Sequence, residues 1–168
     1  IITNDTFFEY FDESGNLIDA VPNGVTLTVL GTISDKPGMF INKGVALVGE
    51  NAILNNIRIV LNAEDIVLDN MTLFATTGLG DLIGVYANGI TVSNMDISYI
   101  VGNEEAIAIN VIGVEDANII NNTIIFESHA ATDGTYANAI NLEGVSSSIV
   151  DNNAIASSLT GVDADYGI

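Results

Sequence analysis

A short phrase recurs four times along this chain. Residues 66–73 read IVLDNMTL, 90–97 ITVSNMDI, 117–124 ANIINNTI and 148–155 SIVDNNAI. Each is a small apolar strand, then a turn centred on an Asn, then an apolar residue. The asparagines are Asn70, Asn94, Asn121 and Asn152, so the steps are 94−70=24, 121−94=27 and 152−121=31. Self-similarity at a period of roughly 20–50 residues is the signature of repeat architectures, where each unit buries its apolar face on the next. A core phrase of fixed length with connections of variable length is what stacked rungs need.

From residue 57 the rungs can be laid out as three short strands each. They fall at 57–61, 65–68 and 71–75, then at 82–87, 90–92 and 95–100. The third rung has 106–111, 117–120 and 123–128, and the fourth 137–142, 148–150 and 153–158. Loops 76–81, 101–105, 129–135 and 159–165 all follow a third strand, so variable length is confined to one corner. Two earlier β-branched runs, 25–30 and 45–48, are flanked by turn signals. The expected fold is all-β, a right-handed parallel β-helix with three strands per rung. Its handedness follows from the strong right-handed preference of parallel crossovers.

Residues 4–12 (NDTFFEYFD) differ. Asn4 or Asp5 is placed to cap a short helix, Phe7, Phe8 and Phe11 cluster at helical spacing, and Gly15 stands where a helix C′ glycine belongs. An amphipathic helix there would cover the open apolar end of the coil. The expected organisation is a helical cap over 1–20 and a β-helix over 21–168. Tyr166-Gly167-Ile168 reads as the opening of another strand, so the chain is expected to be a piece of a longer repeat protein.

The four asparagines have a structural rationale. The corner between second and third strands turns sharply, and Asn tolerates left-handed backbone geometry better than other non-glycine residues. Stacked at the strand spacing of ~4.8 Å, their amides are expected to form a hydrogen-bonded ladder.

Composition narrows the partners. Twenty-two acids face only Lys36, Lys43 and Arg58, a formal net charge of −19. That balance argues against nucleic acid, which needs a basic patch, and against an anionic membrane surface. No run of about 18 apolar residues is present, so no membrane insertion is expected. There is no cysteine, so disulfides and thiolate metal sites are excluded.

The Asn-turn rungs resemble the right-handed parallel β-helix proteins related to pectate lyases. The opening TFFEYFDESGNLIDAVPNGVTLTVLGTIS, followed by GVALVGENAIL, resembles adhesin-like surface proteins of methanogenic archaea. The resemblance implies an extracellular, cell-surface protein that attaches to a glycan or protein of another cell without catalysis. The alternatives are a polysaccharide lyase or hydrolase whose catalytic residues lie outside this chain, and a cell-envelope spacer.

No catalytic constellation is visible. Asp69 and Asp96 flank the Asn turn in different columns and read as solvated turn carboxylates. His129 stands alone in a loop. On the first strands, with Ile59, Val85, Ile109 and Ile140 inward, Val60, Tyr86, Asn110 and Asn141 form an outward column. Arg58, Gly84, Ala108 and Ala139 form its neighbour. A trough of small residues beside a Tyr and two Asn suits sugar, so Tyr86, Asn110, Asn141 and Arg58 are the ligand-binding candidates. The variable corner gathers acid. Aligning Tyr136 with Tyr166 stacks Asp133 over Asp163, and brings Asp165 into a column with Glu104. Those four are the candidate ligands of a Ca²⁺ ion, against the plainer reading of splayed loop acids. Of the sequons at Asn4, Asn70 and Asn121, only Asn4 lies outside the ladder and is expected to be open to a glycan.

Overall fold

The burial pattern of this chain is written by stacked apolar columns. A computed structural model describes residues 1–76, 79–102, 105–128, 136–158 and 164–167. The described residues are mostly β, in parallel sheets, with almost no helix. In chain order they comprise α1 (Phe7–Tyr10), β1 (Thr26–Ile33), β2 (Met39–Ile41), β3 (Ala46–Asn55), β4 (Ile59–Leu61) and β5 (Val67–Ala75). There follow β6 (Asp81–Val85), β7 (Thr91–Ser93), β8 (Asp96–Val101), β9 (Ala106–Ile112) and β10 (Asn118–Ile120). The last are β11 (Thr123–Ser128), β12 (Tyr136–Glu143), β13 (Ile149–Asp151), β14 (Ala154–Ser157) and β15 (Ala164–Tyr166).

Every strand pairs in parallel with a strand one repeat away. One six-stranded sheet runs β15-β12-β9-β6-β4-β2. A nine-stranded sheet has two halves, split at the Asn turn. Val67–Asp69 of β5 pairs with β7, while Thr72–Ala75 pairs with β8. β7, β10 and β13 continue the first half, and β8, β11 and β14 the second. Parallel sheets bury apolar side chains in register. Leu47, Leu68, Val92 and Ile119 form one such column, Leu54, Leu73, Ile97 and Ile124 a second, and Ile59, Ile83, Ile109 and Ile140 a third. All are buried.

The N-terminal segment closes one end differently from expectation. α1 is a single turn, and Thr6, not Asn4 or Asp5, occupies the N-cap position, with no side-chain capping bond. The helix stops because Phe11 turns extended and bridges antiparallel to Leu17. Gly15, at φ 85°, therefore serves the 12–16 turn that Asp12 closes, not a helix end. The cap works nonetheless by packing. Ile2, Phe7, Phe11 and Leu17 are buried, and Phe7 stacks on Phe11 with ring centroids 4.7 Å apart. Lys43 ties the segment down by donating to the Ile18 and Val21 carbonyls, each at 2.9 Å.

The asparagine corner is real and longer than the sequence repeat. Asn70, Asn94, Asn121 and Asn152 all sit at φ between 53° and 58°, and Asn51, one layer earlier, joins them at φ 52°. Their amides do not form one continuous ladder. Asn152 donates to Asn121 Oδ1 at 2.6 Å, but Asn94 donates to Asp69 Oδ1 and Asn70 to the Gly49 carbonyl. A second ladder runs one residue further in, where Met71 and Met95 are followed by Asn122 and Asn153. Asn122 Nδ2 donates to Asn153 Oδ1 at 2.9 Å and to the Val92 carbonyl at 3.1 Å.

Candidate functional site

Three strands of the six-stranded sheet break alternation, and that break makes the candidate site. Consecutive residues are buried on each: 82–85 on β6, 108–111 on β9, and Ala139 and Ile140 on β12. Ala108 and Ala139 are therefore inside the molecule, and the expected outward row of small residues does not exist. The register also differs from the expected one. Ile83, not Val85, pairs with Ile59, so Gly84 stands beside Val60 and Asn110, and Asn110 beside Asn141. Tyr86 lies two residues beyond that row.

Asn110 and Asn141 nonetheless lie on this sheet, with Arg58 just before β4 and Tyr86 just after β6, and a fifth residue, Asp81, links Arg58 to Tyr86. Arg58 Nη2 donates to Asp81 Oδ1 at 2.5 Å, and its Nε donates to the Asp81 carbonyl at 3.1 Å. The Tyr86 hydroxyl donates to Asp81 Oδ2, also at 2.5 Å. Asn141 Nδ2 donates to Asn110 Oδ1 at 2.8 Å. Tyr86 reaches back because residue 84 has no side chain. A Cβ on Gly84 would stand 2.5 Å from Tyr86 Cε2 and 2.8 Å from Asp81 Oδ2. The ring thus occupies the space a side chain would fill, with its hydroxyl pinned at the far end.

The electrostatics follow from this packing. Burial pushes the Tyr86 phenol above its ordinary value, and the hydrogen bond to Asp81 and the Asp81 charge push the same way. Arg58 and Asn110 pull it back. Asp81 has one oxygen on the guanidinium and the other on the phenol, and its side chain is 11 % exposed against 35 % for Arg58. An aromatic ring with a fixed hydroxyl beside side-chain amides is chemistry for stacking and hydrogen bonding. Asp81 escaped the sequence reading because it stood at the end of what was read as a loop, 76–81.

The acidic corner fares differently. Glu104, Asp133 and Asp163 lie outside the described residues, as does His129. Asp165 lies on β15, where its backbone pairs with Ala137. The same pairing sets Tyr136 against Ala164 and Tyr166 against Asn138, which overturns the Tyr136–Tyr166 alignment behind the expected stack. Among the described residues no three His, Cys, Asp or Glu side chains group to hold a metal ion. Asp69 accepts from Ser93 Oγ and Asn94 Nδ2, both at 2.7 Å, so it braces the Asn corner. Asn4 is engaged too, its Oδ1 accepting the Ser34 N–H at 3.1 Å.

Comparison of the chain with family models, with curated proteins and with solved structures gives no match. Function therefore rests on the face itself.

Proposed function

We propose that this chain is a non-catalytic attachment module of the cell exterior, a right-handed parallel β-helix of the adhesin-like kind. It engages a glycan of another cell, or an extracellular polysaccharide, through the face that carries Arg58, Asp81, Tyr86, Asn110 and Asn141. The observation that carries the reading is the Tyr86 ring, seated over Gly84 and pinned by Asp81 beside stacked amides. Aromatic side chains held in this way offer contact area at little entropic cost on binding. Both Asp81 carboxylate oxygens are engaged, which suits a binding face better than acid–base work on a sugar.

The β-helix part of the reading is supported by three stacks of parallel strands that recur in one order, with left-handed corners at equivalent places. A second reading, a cell-envelope spacer, draws on the same network. Its members satisfy one another across successive layers and would lock register without any ligand.

A glycan array probed with the wild-type chain and with Tyr86→Ala tests the proposal. Binding by the wild type and its loss in the folded variant are expected. A folded wild-type chain that binds neither glycans nor cells leaves only the spacer. Release of unsaturated or reducing-end sugar from a polysaccharide would overturn the non-catalytic reading.

A further inference from the structure

We infer that Asp81 sets the specificity of this face: by occupying Arg58 it makes the face accept uncharged saccharides and reject polyuronates. The inference rests on the attachment reading and names its ligand class. A uronate carboxylate is best held by a guanidinium that presents its forked N–H edge. Arg58 is the one arginine in the chain. Its Nε and Nη2 are both turned onto Asp81, one to the carbonyl and one to the carboxylate. One of its two bidentate edges is thus filled by the protein itself, and the Asp81 carboxylate balances its charge, so a uronate gains no unpaired cation here.

No other cation replaces it. Lys36 lies over the Phe8 ring, 5.0 Å from its centroid, at the capped end. Lys43 is held by the Ile18 and Val21 carbonyls, with Asp19 3.6 Å away. No lysine or arginine follows Arg58 in the sequence, so from β4 onward the charge of the chain is acidic. A polyuronate approaching it meets like charge, which is felt over a Debye length of ~10 Å at 0.1 M salt. A neutral sugar ring meets none of this. It can stack on Tyr86 and bond to the amides, where the Asp81 carboxylate is already balanced by Arg58 and bonded by the phenol.

The test is calorimetric titration of the whole chain at low salt with two panels of equal length. One holds neutral oligosaccharides (cello-, manno- and galacto-), the other oligogalacturonate, oligomannuronate and oligoglucuronate. The wild type should bind within the neutral panel, with little salt dependence, and should bind no uronate. Asp81→Asn leaves the backbone bond to Arg58 but removes the balancing charge; it should gain uronate binding of at least about tenfold, as expected for a charge-assisted contact, and lose it in high salt. Arg58→Gln/Asp81→Asn should not gain it. Wild-type binding of uronates as tight as of neutral sugars overturns the inference and leaves the attachment reading standing. So does a folded Asp81→Asn chain with no uronate gain. A wild type silent in both panels, with a gain in Asp81→Asn, supports the masking of Arg58 and overturns attachment. The wild-type panels decide the matter even where Asp81→Asn fails to fold.

Discussion

Asn122 is the most exacting test of how these layers are held. It is 1 % exposed, in a column that Met95 and Met71 occupy one and two layers earlier. Its Oδ1 accepts the Met95 N–H at 3.0 Å, and its Nδ2 donates to the Val92 carbonyl at 3.1 Å and to Asn153 Oδ1 at 2.9 Å. Asn122→Ala removes all three bonds. At a net value of about 1 kcal/mol each, plus the cost of orphaned buried groups, the loss is about 3–5 kcal/mol. Asn152→Gly is the matched control. Asn152 is exposed, makes one amide bond to Asn121, and sits at φ 53°, which glycine adopts freely. That change should cost about 1 kcal/mol or less. Urea unfolding at 25 °C followed by far-UV circular dichroism gives both numbers by linear extrapolation, provided the slope is unchanged. If Asn122→Ala costs no more than Asn152→Gly, the inner ladder does not hold the layers and the reasoning fails.

Three further outcomes are expected. Gly84→Ala should displace the Tyr86 ring, whose Cε2 would lie 2.5 Å from the new methyl; saccharide binding should fall while the fold, by circular dichroism, persists. The Asp12 carboxyl is held below its ordinary value, first by the Asn16 side chain and then by backbone N–H groups. Its stabilisation is present above the unfolded pKa and lost as pH falls through the folded one. Asp12→Ala should therefore melt lower than wild type at neutral pH, and the gap should close as acid protonates the folded carboxyl. The Tyr86 phenol, with its raised pKa, contributes stability below its ordinary value of 10.0 that is lost as pH rises beyond it. Ultraviolet titration of tyrosinate should show a late-ionising phenol in the folded wild type that is lost in Tyr86→Phe; identical late titration in wild type and Tyr86→Phe would refute its bond to Asp81.

The repeat was legible because Asn marks a backbone event. Asn70, Asn94, Asn121 and Asn152 recur where φ turns positive, and few non-glycine residues tolerate that. Asn51 was missed because Gly49 and Glu50 lengthen that corner and break the phrase. The face was harder. Tyr86 was assigned to the row of Asn110 because alternation was counted from Val85, whereas Ile83 pairs with Ile59. A two-residue slip keeps every side chain on its own side of the sheet, so hydrophobic pattern cannot detect it. The adjacent buried pairs, such as Ala108 and Ile109, defeated period-2 reasoning outright, because a strand that bends at a corner shows two inward residues in succession. The short helix was overread for a related reason: Phe11 fits a helical stripe, but its bridge to Leu17 claims it for extended structure.

The pairing of each strand with strands one repeat away has a mechanical consequence. Among the described residues β11 pairs only with β8 and β14, and β10 only with β7 and β13. A force that pulls on β15 strips β13, β14 and β15, and their release leaves β10, β11 and β12 as a new edge of the same kind. The chain should yield by peeling, one repeat at a time. With steps of 24, 27 and 31 residues between successive corner asparagines, the events free about 80–110 Å of extended chain at ~3.3–3.6 Å per residue. A molecule built this way dissipates a pull in instalments, and what has not yet peeled keeps its shape.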